Sequence, residues 1–484
     1  MESPLVVASN RGPIAFEQDA RGEVTPRKGS GGLVTAMAGV FFHDDATWVA
    51  AAMTDADVEI ARRGRPANTT GRQRLRFVEI PADRFELAYN GFSNRVLWFT
   101  QHYLWDLARQ PVFGDDTRRA WDAYVETNLD FAKELAKEAG RQPVFLVQDY
   151  HLSLVPAMLR EIVPESRIVH FSHTPFAGPQ YLRILPNRIR EDILRGMAGS
   201  DVIGFQSRAW AENFLLSARH VPGLKVDLRA GRVVTTADGH EARVRVYPVA
   251  VNPHALRELE GDRYVDAARR EVDELRGDRR LLLRVDRMEP SKNVLRGFLA
   301  FELFVQRHPE WREKVVFLSL LSPSRDKMPE YQAYADECMN EAARIDEEYG
   351  SSSWSPVVTR VQEDFPYAVG AYGSYDALLV NPVFDGMNLV SMEGPVVNPR
   401  NGVLVLSRNA GAFERIGRHA LAVNPFDVDQ TADALADALA MPLEERRRRA
   451  RGLVRAVMAH TPESWLAAQL QDLDEIRRPR RTHS

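Results

Sequence analysis

VFLVQDYHLSLVPAMLREIVPESRIVHFSHTPF, residues 144–176, holds two short apolar runs on either side of a stretch with helical spacing. The runs VFLVQ (144–148) and RIVHFSH (167–173) are rich in β-branched residues and end in polar ones, so both read as buried strands. Between them, Ser153 to Ile162 places apolar residues on one helical face. A buried strand, a helix and a second buried strand in succession mean a parallel α/β sheet. Each strand also runs into a polar cluster, Gln148-Asp149-Tyr150-His151 after the first and Ser172-His173-Thr174 after the second. In open parallel sheets ligands collect beyond the carboxyl ends of the strands, so two such clusters on successive strands point to a site. Either Asp149 or His173 alone would serve equally well as a cap or a satisfied core group.

The same pattern extends both ways along the chain. LVVAS (5–9) and DVIGFQ (201–206) read as further buried strands, and Trp121 to Ala139 as a helix. A second series then begins with RLLLRVDR (280–287), KVVFLSLL (314–321), ALLVNP (377–382) and GVLVLS (402–407). Two parallel series predict an α/β protein of two doubly wound, Rossmann-like domains facing each other across a crevice at the strand ends. The boundary falls near Val251-Asn252-Pro253, after the strand RVRVYPVA, giving domains of 1–251 and 252–453. The helical segment 454–474, rich in Trp, Leu and Ala, is expected to pack back on the first domain. Arg446 to Arg449 read as a solvated helix face, and RRPRRTHS as a frayed end.

Composition narrows the function classes. At 484 residues the chain can bury two sizeable cores. With 44% hydrophobic and 27% charged residues it is globular rather than disordered. A net charge of −4 gives no basic field, which argues against nucleic acid as the main partner. The single cysteine, Cys338, excludes an intramolecular disulfide and a zinc site built on several thiolates. Neither a signal peptide nor a membrane-length apolar stretch is evident, so a cytoplasmic protein with no membrane partner is expected. The sequon Asn68-Thr69-Thr70 would then be idle. A homo-oligomer is compatible with these features.

Three further motifs carry chemistry. Ser9-Asn10-Arg11 and the cluster Gly29-Ser30-Gly31-Gly32-Leu33 offer backbone N–H groups to an anion, although the cluster reads equally as a plain glycine turn. Arg287 and Lys292 follow the first strand of the second series, where two cations suit a diphosphate; surface salt bridging is the rival reading. Asp385-Gly386-Met387-Asn388-Leu389-Val390-Ser391-Met392-Glu393 sets an acid before a glycine turn and another eight residues later, a pattern that can hold sugar hydroxyls and a ribose diol. Asp427-x-Asp429-x-Thr431 mimics a phosphatase nucleophile motif, but only a short helical segment follows it. Asp427 is better read as the N-cap of a helix from Gln430 to Met441.

Taken in order, SNR, GGL, NGFSNRVLW, DYHL, HTPF, GFQ, VYPVAVNP, R-x-x-x-S-K, SPSR, DGMNLV-x-x-E and GVLVLS-x-x-AGA resemble the trehalose-6-phosphate synthases, retaining glycosyltransferases of two-domain GT-B architecture. The resemblance runs from about Leu5 to about Leu470. It implies that Arg11, Tyr89, Trp98 and Arg325 hold the 6-phosphate of the acceptor, that Asp149 meets the acceptor sugar, and that His173 faces the donor glucose. It implies Gly32 near the donor diphosphate, Arg287 and Lys292 as its clamp, and Asp385 on the donor glucose hydroxyls. The backbone of Gly386, Met387, Asn388 and Leu389 would lie beside the phosphates, with Glu393 on the ribose. The implied reaction moves glucose from a nucleotide-glucose to glucose 6-phosphate, without metal or cofactor. Arg287, Lys292, His173, Asp149 and Asp385 are the candidate catalytic residues. In this reading the leaving phosphate accepts the proton of the attacking hydroxyl on the same face.

This chain departs from the family pattern in places. The family often reads R-L-D-Y-S-K-G where residues 287–293 read R-M-E-P-S-K-N, arginine where Phe384 stands, and HIPFP where HTPFAGP stands. Two other readings therefore stay open. One is a cyclitol-coupling pseudo-glycosyltransferase resembling validoxylamine phosphate synthase. The other is a non-catalytic regulatory homologue, against which the intact Arg287, Lys292, Asp385, Glu393 and His173 argue. For the donor base, Glu363 and Asp364 stand side by side in the loop of the strand-to-helix stretch VVTRVQEDFPYAVG (357–370). Guanine offers two adjacent donors to one carboxylate, so the pair favours GDP-glucose over UDP-glucose. The rival is that one acid caps the next helix and the other faces solvent.

Overall fold

The computed structural model describes residues 4–18, 24–28, 37, 46–63, 67–68, 74–229, 231–325 and 328–477. The chain forms two compact units, Met1–Val249 with Pro462–Ser484, and Ala250–Thr461.

The first unit is built on a ten-stranded sheet of order β10-β11-β12-β9-β8-β7-β1-β4-β6-β5. Its middle is parallel: β1 (Leu5–Ser9), β4 (Thr47–Ala51), β6 (Arg74–Val78), β7 (Val144–Gln148), β8 (Arg167–Ser172), β9 (Val202–Phe205) and β12 (Glu241–Val246). Both edges depart from the expected all-parallel sheet. β10 (Lys225–Asp227) and β11 (Val233–Thr235) add antiparallel to β12, and β5 (Ala67–Asn68) adds antiparallel to β6. These edge strands are two or three residues long, too short for apolar periodicity to announce them. A separate hairpin pairs β2 (Ile14–Gln18) with β3 (Val24–Lys28).

β1, β7 and β9 are buried along their whole length, which is why they read as continuous apolar runs. The helix Asp115–Ala136 lies across this unit and starts six residues before the expected Trp121. Its first turn is polar, with Asp115 and Asp116 placed favourably at the positive end of the helix dipole, so apolar spacing shows only the buried face. Residues Leu87–Leu97 form a π-helix that runs directly into a turn of α-helix at Trp98–Gln101. π-helical turns recur at functional sites, and this one carries most of the NGFSNRVLW motif.

The segment expected as one helix over 454–474 is the end of one helix, Leu443–Met458, and most of another, Pro462–Arg477. The second belongs to the first unit. Trp465 Nε1 donates to the Tyr247 carbonyl at 3.0 Å, Tyr247 donates its hydroxyl to Asp472 at 2.5 Å, and the Trp465 ring meets Phe171 edge-on at 5.0 Å.

The second unit is a six-stranded, wholly parallel sheet of order β15-β14-β13-β16-β17-β18. Its strands are β13 (Arg280–Arg287), β14 (Val315–Ser322), β15 (Val357–Val361), β16 (Ala377–Val380), β17 (Val403–Ser407) and β18 (Leu421–Val423). Alternate residues of β13 feed two cores: Leu281 and Leu283 enter one, Leu282 the other. Buried charge interrupts this apolar frame at Asp376, which accepts from Leu281 N at 3.1 Å, Arg280 at 2.7 Å and Arg446 at 3.3 Å. Arg446 is therefore not part of a solvated face. It is 6% exposed and also donates to the carbonyls of Arg400 and Asn401. Asp427 does cap a helix, Val428–Ala440, by accepting from Gln430 N at 2.8 Å. Among the described residues no helix is long and apolar enough to cross a membrane.

Candidate active site

In the first unit the polar ends of β7 and β8 form one hydrogen-bonded cluster. Asp149 leaves β7 at φ 72° and ψ 172°, a backbone region that only glycine enters without strain. Two bonds to the neighbouring strand hold it there. Its N–H donates to the Phe171 carbonyl at 2.7 Å, and its Oδ1 accepts from His173 N at 3.1 Å. The half-buried His173 ring lies between two amides, with Nε2 2.9 Å from Gln148 Oε1 and Nδ1 3.5 Å from Gln206 Nε2. The Gln148 carbonyl oxygen only accepts, so Nε2 carries a proton; the Gln206 amide nitrogen only donates, so Nδ1 carries none and the ring is neutral. Burial and the nearby His170 push its pKa down to about 3, consistent with that tautomer. Gln206 is fixed in turn by accepting from Val249 N at 2.9 Å. His173 is thus shaped as a neutral hydrogen-bonding group, not a proton donor at neutral pH.

Beside this cluster the Arg11 guanidinium lies 5.7 Å from the centre of the Tyr89 ring. Tyr89 stacks between Phe85 at 5.2 Å and His151 at 5.4 Å. Trp98 is buried, stacking on His102 at 3.9 Å and leaning on Tyr150 at 5.8 Å. The Tyr150 hydroxyl donates to Asn94 at 2.8 Å. Arg11, Tyr89 and the DYHL turn therefore share one surface, with Trp98 behind it. Gly32 lies outside the described residues.

In the second unit Lys292 and Asp385 form an ion pair of 2.5 Å, each side chain only 12–13% exposed. Lys292 ends the tight turn Pro290–Lys292, and Asp385 stands after β16. Asp385 Oδ2 also accepts from Asn388 Nδ2 at 3.1 Å. Asn388 sits at φ 71° and orders the next helix, Val390–Val397, by accepting from Ser391 N at 3.2 Å. Glu393 lies in the first turn of that helix and accepts from the Tyr372 hydroxyl at 3.2 Å. Burial raises its pKa to about 7, with the Tyr372 bond pulling the other way. The turn Gly386–Met387 is pressed against a second loop: Gly411 N donates to the Asp385 carbonyl and Ala412 N to that of Met387. A Cβ on Gly411 would overlap the Gly386 carbonyl oxygen, so only glycine fits there.

Behind Lys292 stands Arg284, a fully buried arginine. It donates to Asp286 at 2.9 Å, to the Lys292 carbonyl at 3.1 Å and to Asn381. Burial lifts Asp286 to a pKa of about 6, although Arg284 and Lys292 pull it down. Arg287 is 46% exposed and pairs with buried Glu289 at 3.0 Å. Arg325 pairs with the same carboxylate at 3.0 Å. The four residues Gln206, Glu289, Arg284 and Gly411 carry no role in the sequence reading. Gln206, Glu289 and Gly411 do stand inside quoted motifs, GFQ, R-x-x-x-S-K and AGA. Arg284 has no local signal, since it sits in a strand whose apolar pattern hides it.

Glu363 and Asp364 do not act as a pair. Asp364 caps the helix Phe365–Tyr372, accepting from Tyr367 N at 2.9 Å and from the Tyr264 hydroxyl at 2.6 Å. Glu363 is exposed. Helix capping occupies one of the two carboxylates, either of which the guanine reading allowed to meet the base. Among the described residues no group of three or more His, Cys, Asp and Glu side chains is arranged for a metal ion.

Parallel Rossmann-like sheets with cationic and carboxylate clusters at their strand ends define a GT-B glycosyltransferase. The model of glycosyltransferase family 20 matches residues 3–475, and the chain belongs to that family. It is 32% identical over 488 residues to a trehalose-6-phosphate synthase of Mycobacterium marinum, spanning 98% of this chain and 95% of that one. It is also 32% identical to a UDP-forming α,α-trehalose-phosphate synthase A of Dictyostelium discoideum, spanning 97% of this chain but 62% of that protein's length. A validamine 7-phosphate valienyltransferase of Streptomyces hygroscopicus is again 32% identical, over 97% of this chain and 94% of that one. Among solved structures, an E. coli protein bound with UDP-2-fluoro glucose superposes with a TM-score of 0.85 at 28% identity, covering 98% of this chain and 99% of that one. A Burkholderia xenovorans synthase in complex with glucose-6-phosphate superposes with a TM-score of 0.84 at 27% identity, covering 98% and 100%.

Proposed function

We propose that this chain is an α,α-trehalose-6-phosphate synthase, transferring glucose with retention from a nucleotide-glucose to glucose 6-phosphate. The observation that carries the reading is the Lys292–Asp385 pair set beside the Gly386–Leu389 turn, with Glu393 in the helix that follows. It supplies a cation for a diphosphate, carboxylates for sugar and ribose hydroxyls, and a helix start for a phosphate. In this reading Arg287 and Lys292 stabilise the charge that develops on the departing diphosphate. Asp385 exchanges its bond to Lys292 for donor glucose hydroxyls. Neutral His173 and the strained Asp149 orient the two sugars. The hydroxyl proton of the acceptor passes to the leaving phosphate oxygen. Arg11, Tyr89 and Arg325 select the phosphorylated acceptor.

For the donor base we propose uridine. The relatives named UDP-forming support it, and the capping role of Asp364 leaves Glu363 as the one acid of the pair that is not a helix cap. The valienyltransferase relative, at the same 32% identity, keeps a cyclitol-coupling reading as the second candidate. The test is direct: purified protein is incubated with glucose 6-phosphate and, separately, UDP-, GDP- and ADP-glucose. Trehalose 6-phosphate should form fastest from UDP-glucose. No product from any of the three, with product from a nucleotide-cyclitol and a cyclitol phosphate, would install the second reading instead.

A further inference from the structure

Glu289 is fully buried, yet it stands between the arginines assigned to two different substrates. Its Oε1 accepts from the Ser291 hydroxyl at 2.9 Å and pairs with Arg287 at 3.0 Å. Its Oε2 accepts from the Ser324 hydroxyl at 3.0 Å and from Arg325 Nη1 at 3.0 Å. One oxygen thus serves the Arg287–Lys292 loop and the other serves the SPSR loop after β14. Arg325 is held further by donating to the Tyr331 hydroxyl at 2.8 Å, and its own backbone sits at φ 45°. Two guanidinium groups this close repel each other unless an anion lies between them, and a buried carboxylate is costly unless its oxygens are satisfied. Each need is met by the other.

We infer that Glu289 is a positioning residue that fixes the donor-phosphate arginine, Arg287, and the acceptor-phosphate arginine, Arg325, through the two oxygens of a single carboxylate. The inference rests on the roles proposed above for those arginines. Because the charge is shared, an anion arriving at one guanidinium alters how firmly the other is held. A residue that merely filled space here would set stability alone. One that positions both arginines sets the kinetics of both substrates.

The experiment compares Glu289→Gln, Glu289→Asp and Ser324→Ala in the full chain. Glutamine keeps the shape but turns one accepting oxygen into a donor, so kcat/KM should fall about 10- to 100-fold for both nucleotide-glucose and glucose 6-phosphate. Aspartate keeps the charge and should recover most of that loss. Ser324→Ala leaves the charge buried and paired, and serves if the glutamine variant does not fold. It should raise the glucose 6-phosphate KM with little change for the donor. In an Arg325→Ala background, Glu289→Gln should no longer affect the acceptor KM but should still lower kcat. Unchanged kcat and KM values in Glu289→Gln, with only a lower melting temperature, would overturn the inference. So would strict additivity in the double variant. If the wild-type protein makes no product from these substrates, the proposed function fails separately. Calorimetric titration with UDP then decides the inference: about tenfold weaker binding by Glu289→Gln supports it and unchanged binding refutes it.

Discussion

Lys292 Nζ and Asp385 Oδ2 lie 2.5 Å apart, and each side chain is almost buried. The cation proposed for the diphosphate thus carries its own counterion. Removing either partner does two things at once: it deletes a ligand contact and leaves the other charge desolvated. Lys292→Ala should therefore lower kcat by about 100- to 1000-fold, the effect of losing one preorganised charge at a transition state. It should also cost stability, because Asp385 loses its partner. Arg287→Ala should give a similar kinetic loss with a smaller drop in melting temperature, because Arg325, Ser291 and Ser324 still partner the buried Glu289. Kinetics and thermal melts on both variants check the contrast.

Arg11 stands over Tyr89 in the first unit, whereas Lys292 belongs to the second. Arg11→Ala should raise the KM for glucose 6-phosphate about 10- to 100-fold, the worth of a charge-assisted bond, and leave UDP affinity unchanged. Lost UDP affinity with a normal acceptor KM would reverse the assignment.

Glu393 gives a pH signature. Burial raises its pKa to about 7, so at pH 6 it is mostly protonated and, in the proposed role, a poorer acceptor for the ribose hydroxyls. The donor should bind more tightly as pH rises from 6 to 8, releasing a proton, and Glu393→Gln should flatten that dependence. For stability the sign is opposite. A carboxyl raised above its unfolded value near 4.3 contributes stability below that value and loses it as pH climbs through about 7.

His170 works the other way, in the first unit. It is fully buried, and burial pushes its pKa down to about 3. Its contribution is present above the unfolded value near 6.5 and is lost as pH falls toward 3, at about 1.4 kcal/mol per pH unit. His170→Leu should therefore resist acid better than the wild type, with the difference in melting temperature widening from pH 6.5 to pH 4. A constant difference across that range would contradict the prediction.

The donor base separates a cap from a reader. Asp364→Asn should cost about 1 kcal/mol or less and leave the ratio of UDP-glucose to GDP-glucose kcat/KM unchanged, because its carboxylate caps a helix. A tenfold change in that ratio would restore the base-reading role.

Much of the fold was legible because parallel strands buried on both faces leave long apolar runs, as β7 and β13 do. What escaped was short, such as β10 and β11, polar inside an apolar strand, such as Arg284, or of ordinary length in the stretch between β1 and β7, such as β4 and β6. The cations Arg287 and Lys292 were legible from their place after a strand, but their anchors were not. Glu289 reaches Arg325 across 36 positions and Lys292 reaches Asp385 across 93, and no local spacing announces such pairs. The acids Glu363 and Asp364 show the converse: adjacency in sequence did not make a pair, because the following helix claimed one of them.

The closing helix, Pro462–Arg477, lies on the first unit although the whole second unit precedes it in the chain. The second unit is thus one uninterrupted stretch, Ala250–Thr461, whereas the first is assembled from two, Met1–Val249 and Pro462–Ser484. Synthesis meets the same constraint. A chain stopped anywhere before Pro462 lacks Trp465 and Asp472, the partners of Phe171 and Tyr247 in the first unit.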